Sequence, residues 1–171
     1  CTALYAFDNE LVSKSKFKVA APVGDIDVSI LDNEVEIDAP LPSFESELIT
    51  IEDFSGIKSN VGNPHFLLEV DDVDNFNLSN AHKVISNSPH FDEGVNLEIY
   101  QIIDNKYIKS RVFERGVGET DACGSGALCL FNYLYKTNQV INNSNVLYPG
   151  GDLNLKFEDS KLYLKGEVKY L

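Results

Sequence analysis

Glu114-Arg115-Gly116-Val117-Gly118-Glu119-Thr120-Asp121-Ala122-Cys123-Gly124-Ser125-Gly126-Ala127 runs without a break into Leu128-Cys129-Leu130-Phe131-Asn132-Tyr133-Leu134-Tyr135-Lys136. The second part is apolar almost all round, with only Asn132 interrupting, and a helix of that kind is buried on every side. The first part carries four glycines in the eleven residues from Gly116 to Gly126. Glycine permits positive φ and close backbone approach to a ligand. Cys123 falls at the expected helix start, where the first N–H groups have no intrahelical partner. Those donors and the helix dipole stabilise an anion. A thiolate is therefore favoured at Cys123, whose pKa is expected to be lowered and which is a candidate base or nucleophile. The N–H groups of Gly124, Ser125 and Gly126 are candidates to hold a substrate carboxylate. As a purely structural feature, Cys123 would be a small core residue beside a tight turn; the flanking glycines and the helix start favour the chemical reading. Cys129, inside the helix and without glycines, is expected to be core packing.

Outward from this stretch the chain reads as short strands. Residues 17–23 and 25–31 bracket Gly24 as two strands joined by a tight turn. Val28, Ile30, Val35 and Ile37 alternate with polar residues at the half-buried strand period. Ala39-Pro40-Leu41-Pro42 removes ladder donors and is an extended connector, the best candidate boundary between two parts. Strands are predicted over 66–70, 97–103 and 107–114, the last two joined by an Asp104-Asn105 turn. A short helix is predicted over 78–86, capped by Asn77 or Ser79. Further strands are predicted over 145–148, 152–157 and 161–170. A buried helix among strands suggests an α+β sheet curled around it.

The chain has 171 residues, about one domain's length, and is 43% hydrophobic, enough for a core. Its 27 acidic and 14 basic residues give a formal charge of −13, which repels phosphate backbones and anionic membranes. Neither nucleic acid nor a membrane is expected as a partner. No apolar run approaches the roughly 20 residues of a transmembrane helix, and no signal-peptide pattern opens the chain. Three cysteines are too few and odd for a disulfide framework, and the histidines show no metal-ligand spacing with them. A reduced, cytoplasmic, metal-free protein is expected. The chain lacks Met and begins at Cys1, so it is expected to be processed or a fragment.

The stretch Glu114–Ala127 resembles the second signature of the diaminopimelate epimerases. Gly62-Asn63-Pro64-His65 is similar to that family's G-N-P-H segment, Phe91-x-x-Gly94-Val95-Asn96 to its F-P-x-G-x-N segment, and Pro149-Gly150-Gly151 to its late P-G-G turn. Ser125 stands where the family usually has Thr, Phe113 where it has Tyr, and Asp92 where it has Pro. The resemblance implies a fold of two similar halves, each a set of strands around a central helix. It implies a cofactor-independent enzyme that interconverts LL- and meso-diaminopimelate, a precursor of lysine and peptidoglycan, with a homodimer as one assembly. Cys123 resembles a catalytic cysteine. Gly124 and Ser125 would offer backbone donors to the α-carboxylate. Asn63, Asn96 and Arg115 would hold the distal amino-acid end, with Glu114 accepting from its ammonium. His65 is placed near the site by resemblance; from its neighbours alone, a structural and a functional role are equally weighted.

Inverting a Cα centre without pyridoxal phosphate calls for two groups of matched pKa on opposite faces, one thiolate and one thiol. The family uses two cysteines, one from each half. Cys1-Thr2-Ala3 looks like the end of the first signature, C-G-N-x-x-R-C-x-A, with Cys1 its second, non-catalytic cysteine. Residues 1–42 would then be a remnant of the N-terminal domain and 43–171 the C-terminal domain, its last strand a candidate to return to the first. This chain alone is expected to be inactive. The alternatives are a proline or hydroxyproline racemase of the same fold, against which Glu114-Arg115 speaks, and a phenazine-type isomerase, against which Cys123 speaks. A non-catalytic binding module is the reading from a different class.

Overall fold

The computed structural model describes residues 2–21 and 24–168. Among the described residues three helices are set among thirteen strands: α1 Thr2–Asp8, α2 Leu78–Ser86 and α3 Gly124–Lys136. The strands are β1 Lys16–Ala21, β2 Gly24–Leu31, β3 Glu34–Ala39, β4 Ser43–Phe44, β5 Ile49–Ile51, β6 Phe54–Asn60 and β7 Pro64–Glu69. They continue with β8 Asn96–Ile102, β9 Tyr107–Glu114, β10 Gly118–Thr120, β11 Ser144–Tyr148, β12 Gly151–Glu158 and β13 Lys161–Glu167. One sheet runs in the order β1-β2-β3-β13-β12-β11-β9-β8-β7-β6-β4, with β10 added on β9 and β5 on β6. β7 runs parallel to β8 and β11 parallel to β9; the other pairs are antiparallel.

α3 contacts β4, β7, β8, β11 and β12, strands drawn from most of the width of that order. The sheet is therefore curled around the helix, as the apolar run predicts. Gly126 to Phe131, Asn132 and Leu134 of α3 are all buried. Asn132, the one polar interruption, donates Nδ2–H to the Pro42 carbonyl at 3.0 Å, so the helix is tied to the proline connector. α2 packs on the opposite face through Leu78, Ala81 and Ile85, against Phe66, Leu68, Leu97 and Ile99. Its Asn77 cap accepts from the Asn80 N–H. With both faces covered, the central strands are buried on both sides. α1 packs on β2 and β3 through Ala3 and Leu4.

The predicted strands 107–114 and helix 78–86 fall where the structure has them. Pro22 and Val23 of the first predicted strand, Cys1, and residues 169–170 of the last lie outside the described residues. β4, β5, β6 and β10 were not legible. β6 carries Gly56 at its centre, where a Cβ would meet the Phe66 ring at 2.7 Å; tertiary packing, not propensity, holds that strand. Pairing continues across the 39–42 connector, because β3, before it, pairs with β13, near the end of the chain. Among the described residues no helix is long and apolar enough to cross a membrane.

Candidate active site

The parallel pairing of β7 with β8 and the antiparallel return of β9 bring three segments to one end of the sheet. These are the turn before β7 with Asn63, Pro64 and His65, the start of β8 with Asn96, and the end of β9 with Glu114 and Arg115. β11 runs parallel to β9, so its Tyr148-Pro149-Gly150 end arrives there too. The Gly150 N–H donates to the Asp121 carbonyl at 2.8 Å, and a Cβ on Gly150 would lie 2.8 Å from the Asp121 Cβ. That close approach anchors the segment leading into Cys123. Four separated motifs thus meet because the strand order carries them there.

Cys123 is the N-cap of α3 in extended conformation. Its Sγ accepts the Gly126 N–H at 3.4 Å and lies 3.3 Å from Ser125 Oγ. Gly126 is therefore not a free donor for substrate, contrary to the sequence reading. The N–H groups of Gly124 and Ser125, at the first turn, have no protein partner among the described residues. The expected lowering of the Cys123 pKa is also overturned. Burial pushes the thiol up to about 12, against the smaller help of Ser125 and Gly126. Desolvation outweighs the helix start. Cys129 is buried in the core, as expected.

Asn96, Glu114 and Arg115 are held by their own contacts. Asn96 Oδ1 accepts the Arg115 N–H at 2.8 Å. The Arg115 guanidinium donates from Nη1 to the Glu93 carbonyl at 2.7 Å. Gly94 has φ +77°, and a Cβ there would lie 2.8 Å from Arg115 Cδ, so a side chain at this position would be strained and would displace Arg115. Thr120 Oγ1 donates to Glu114 Oε1 at 2.6 Å and fixes that carboxylate across the β9–β10 hairpin. Glu119 pairs with Arg111, 2.7 Å from its Nε, and so supports the hairpin. Asn63 sits on the turn before β7 and makes no side-chain hydrogen bond to the others among the described residues.

His65 is fully buried and lies beside Asn96 and Glu98. Its Nε2 lies 3.4 Å from Asn96 Nδ2 and its Nδ1 3.3 Å from Glu98 Oε1. The second contact is close but off the line of a hydrogen bond, leaving both atoms without a bonded partner. Tyr148 donates its O–H to Glu98 Oε2 at 3.1 Å. Burial raises the Glu98 carboxyl, and His65 and Tyr148 offset this only in part. Glu98 and Tyr148 escaped the sequence reading. The only signal was a charge in the alternating run Asn96-Leu97-Glu98-Ile99-Tyr100, which reads as a solvent-facing position.

Two clefts, of about 720 and 580 Å³, are lined by other residues, among them Asp53, Phe76 and Gln101 in one and Thr50, Lys83 and His90 in the other. Cys123 lines neither. The described residues hold no cluster of His, Cys, Asp and Glu suited to a metal ion.

The chain is 28% identical to a diaminopimelate epimerase of Brachyspira hyodysenteriae over 194 residues, covering 99% of this chain and 68% of the relative. It is 29% identical to that of a Synechocystis species over 190 residues, with the same coverage. Among solved structures, a hydroxyproline epimerase of Agrobacterium vitis superposes with TM-score 0.74 at 11% identity, covering 98% of this chain and 62% of that one. A PhzF-family protein of Enterococcus faecalis gives TM-score 0.68 at 20% identity, covering 97% and 66%. At those identities the likeness concerns the fold. The chain spans about two thirds of the length of these relatives. The diaminopimelate epimerase family model matches residues 58–171, from β6 through every motif of the site, and the chain belongs to that family.

Proposed function

We propose that this chain carries one catalytic half-site of a cofactor-independent amino-acid epimerase that interconverts LL- and meso-diaminopimelate. The observation that carries the reading is Cys123 at the start of a buried helix, beside the unpartnered N–H groups of Gly124 and Ser125. Abstraction of an α-proton puts charge on the substrate carboxylate, and two fixed donors aimed at it stabilise that charge. A thiol held protonated by burial suits the face that delivers a proton. In the intact protein the abstracting thiolate would come from a second cysteine on the opposite face. Asn63, Asn96 and Arg115 would bind the distal carboxylate end, and Glu114 the distal ammonium. The Glu114-Arg115 pair favours a substrate with two amino-acid ends over proline.

The test is Cα-deuterium exchange into diaminopimelate by the intact protein in heavy water. Cys123→Ala is expected to lower the rate by about 10²–10⁴-fold, the usual worth of a positioned acid–base group. Wild-type exchange in that variant, or turnover of proline in place of diaminopimelate, would overturn the assignment.

A further inference from the structure

The Glu98 carboxyl is buried, and among the described residues no Lys or Arg is seen to act on it. It lies on the α3 side of β8 and presses against Gly126, where an added Cβ would fall 1.7 Å from Oε1. The titratable groups facing it are His65 of β7, Glu114 of β9, Cys123 and Cys129 at α3, and Tyr148 of β11. Only His65 could become a cation, and its neighbours argue against that. Asn96 Oδ1 is committed to the Arg115 N–H, so Asn96 turns its NH₂ toward His65 Nε2. A donor faces Nε2, which must therefore be the bare, accepting nitrogen. The ring is then neutral and carries its proton on Nδ1, facing Glu98 Oε1 at 3.3 Å. These two buried atoms are without any other partner, so each is the natural partner of the other.

An isolated interior carboxylate is costly, and a neutral acid avoids the cost. With the acid proton on Oε2, the link to Tyr148 turns round and Tyr148 becomes the acceptor. The Tyr148 proton is then released to turn toward Ser110, which lies beside it. Ser110 Oγ already donates to the Ile99 carbonyl at 2.8 Å. Every group from Asn96 to Ser110 then donates and accepts in one direction.

We propose that Glu98 is a positioning residue, held as a neutral carboxylic acid, that locks His65 in the Nδ1–H form and thereby ties the Asn96–Arg115 clamp to the helix start bearing Cys123. What the clamp holds rests on the epimerase reading; the tie itself does not. Raised protonation of Glu98 by burial agrees with it.

Glutamine reproduces a neutral acid here, with its C=O toward His65 and its NH₂ toward Tyr148; leucine does not. The experiment records ¹⁵N shifts of the His65 ring in the intact protein without substrate, for wild type, Glu98→Gln and Glu98→Leu, beside exchange kinetics. Wild type and Glu98→Gln are expected to show Nδ1–H with a bare Nε2, and to keep KM within a few-fold. Glu98→Leu is expected to mix the tautomers and raise KM about tenfold, the loss for one buried hydrogen bond. A proton on Nε2 in the wild type overturns the inference, even where the leucine variant fails to fold. So does Glu98→Gln failing as badly as Glu98→Leu, which would mean that a charged carboxylate is needed. Absence of exchange in all three with the tautomer as expected would strike the substrate reading alone.

Discussion

The two ends of the β8–β9 hairpin have opposite characters. At the turn end, Asp104 Oδ1 accepts the N–H groups of Lys106 and Tyr107 at 2.7 and 2.9 Å. On the neighbouring loop, Asn142 brackets the Phe157 backbone, accepting its N–H at 2.7 Å and donating to its carbonyl at 2.9 Å. These groups are exposed and saturated by local partners. At the other end, His65, Asn96 and Glu98 are buried, and His65 Nδ1 and Glu98 Oε1 face one another 3.3 Å apart with no other partner. Stability accounts for the first end. The second retains desolvated polar groups that a fold selected for stability alone would replace with apolar ones, a departure from local consistency that marks functional sites.

The sharpest way to break this contrast is to crowd the buried end. Gly126→Ala places a methyl group where the Glu98 carboxyl lies. It should cost about 1–3 kcal/mol by overpacking, read as a lowered midpoint in chemical denaturation. In a Glu98→Ala background the same change should cost much less. Equal losses in both backgrounds would mean that the carboxyl is not what excludes the side chain.

A second measurement separates the two ends by pH. Burial raises the Glu98 carboxyl of the folded chain above its ordinary value of 4.5. Between those two values the folded state binds more protons than the unfolded state, so stability falls as pH rises. The contribution is fully present below the ordinary value and gone above the raised one, with a slope of at most about 1.4 kcal/mol per pH unit. Glu98→Gln removes it, so this variant should gain on the wild type as pH increases above 4.5. Parallel stability curves would contradict a neutral buried acid.

The smallest effect belongs to the turn end. Asp104→Ala should cost about 1 kcal/mol, the worth of its hydrogen bonds to the turn, and leave the exchange rate unchanged. A loss of activity there would erase the distinction between the ends.

Much of this was legible locally. Strand 107–114 follows from alternation, and the Asp104-Asn105 pair from turn chemistry. α3 follows from an apolar run too complete for a surface helix. Cys123 could be named from its glycines and helix start, and Asn96, Glu114 and Arg115 from the resemblance of their motifs to the family; the strand order brings those motifs together. Glu98 was hidden because alternation says only which face of a strand a residue occupies, not what covers that face. The protonation of Cys123 was misread for the same reason: the helix start is a local feature, whereas burial is not. The chain on its own thus specified the longer strands, α2, α3, the family and a candidate sulfur, all encoded in neighbours a few residues apart. Packing of α3 across β7, β8 and β11 settled which polar groups lose water, and with it the upward shift of Glu98 and Cys123 and the need for glycine at 126. Desolvation is a property of what comes from far along the chain to lie overhead.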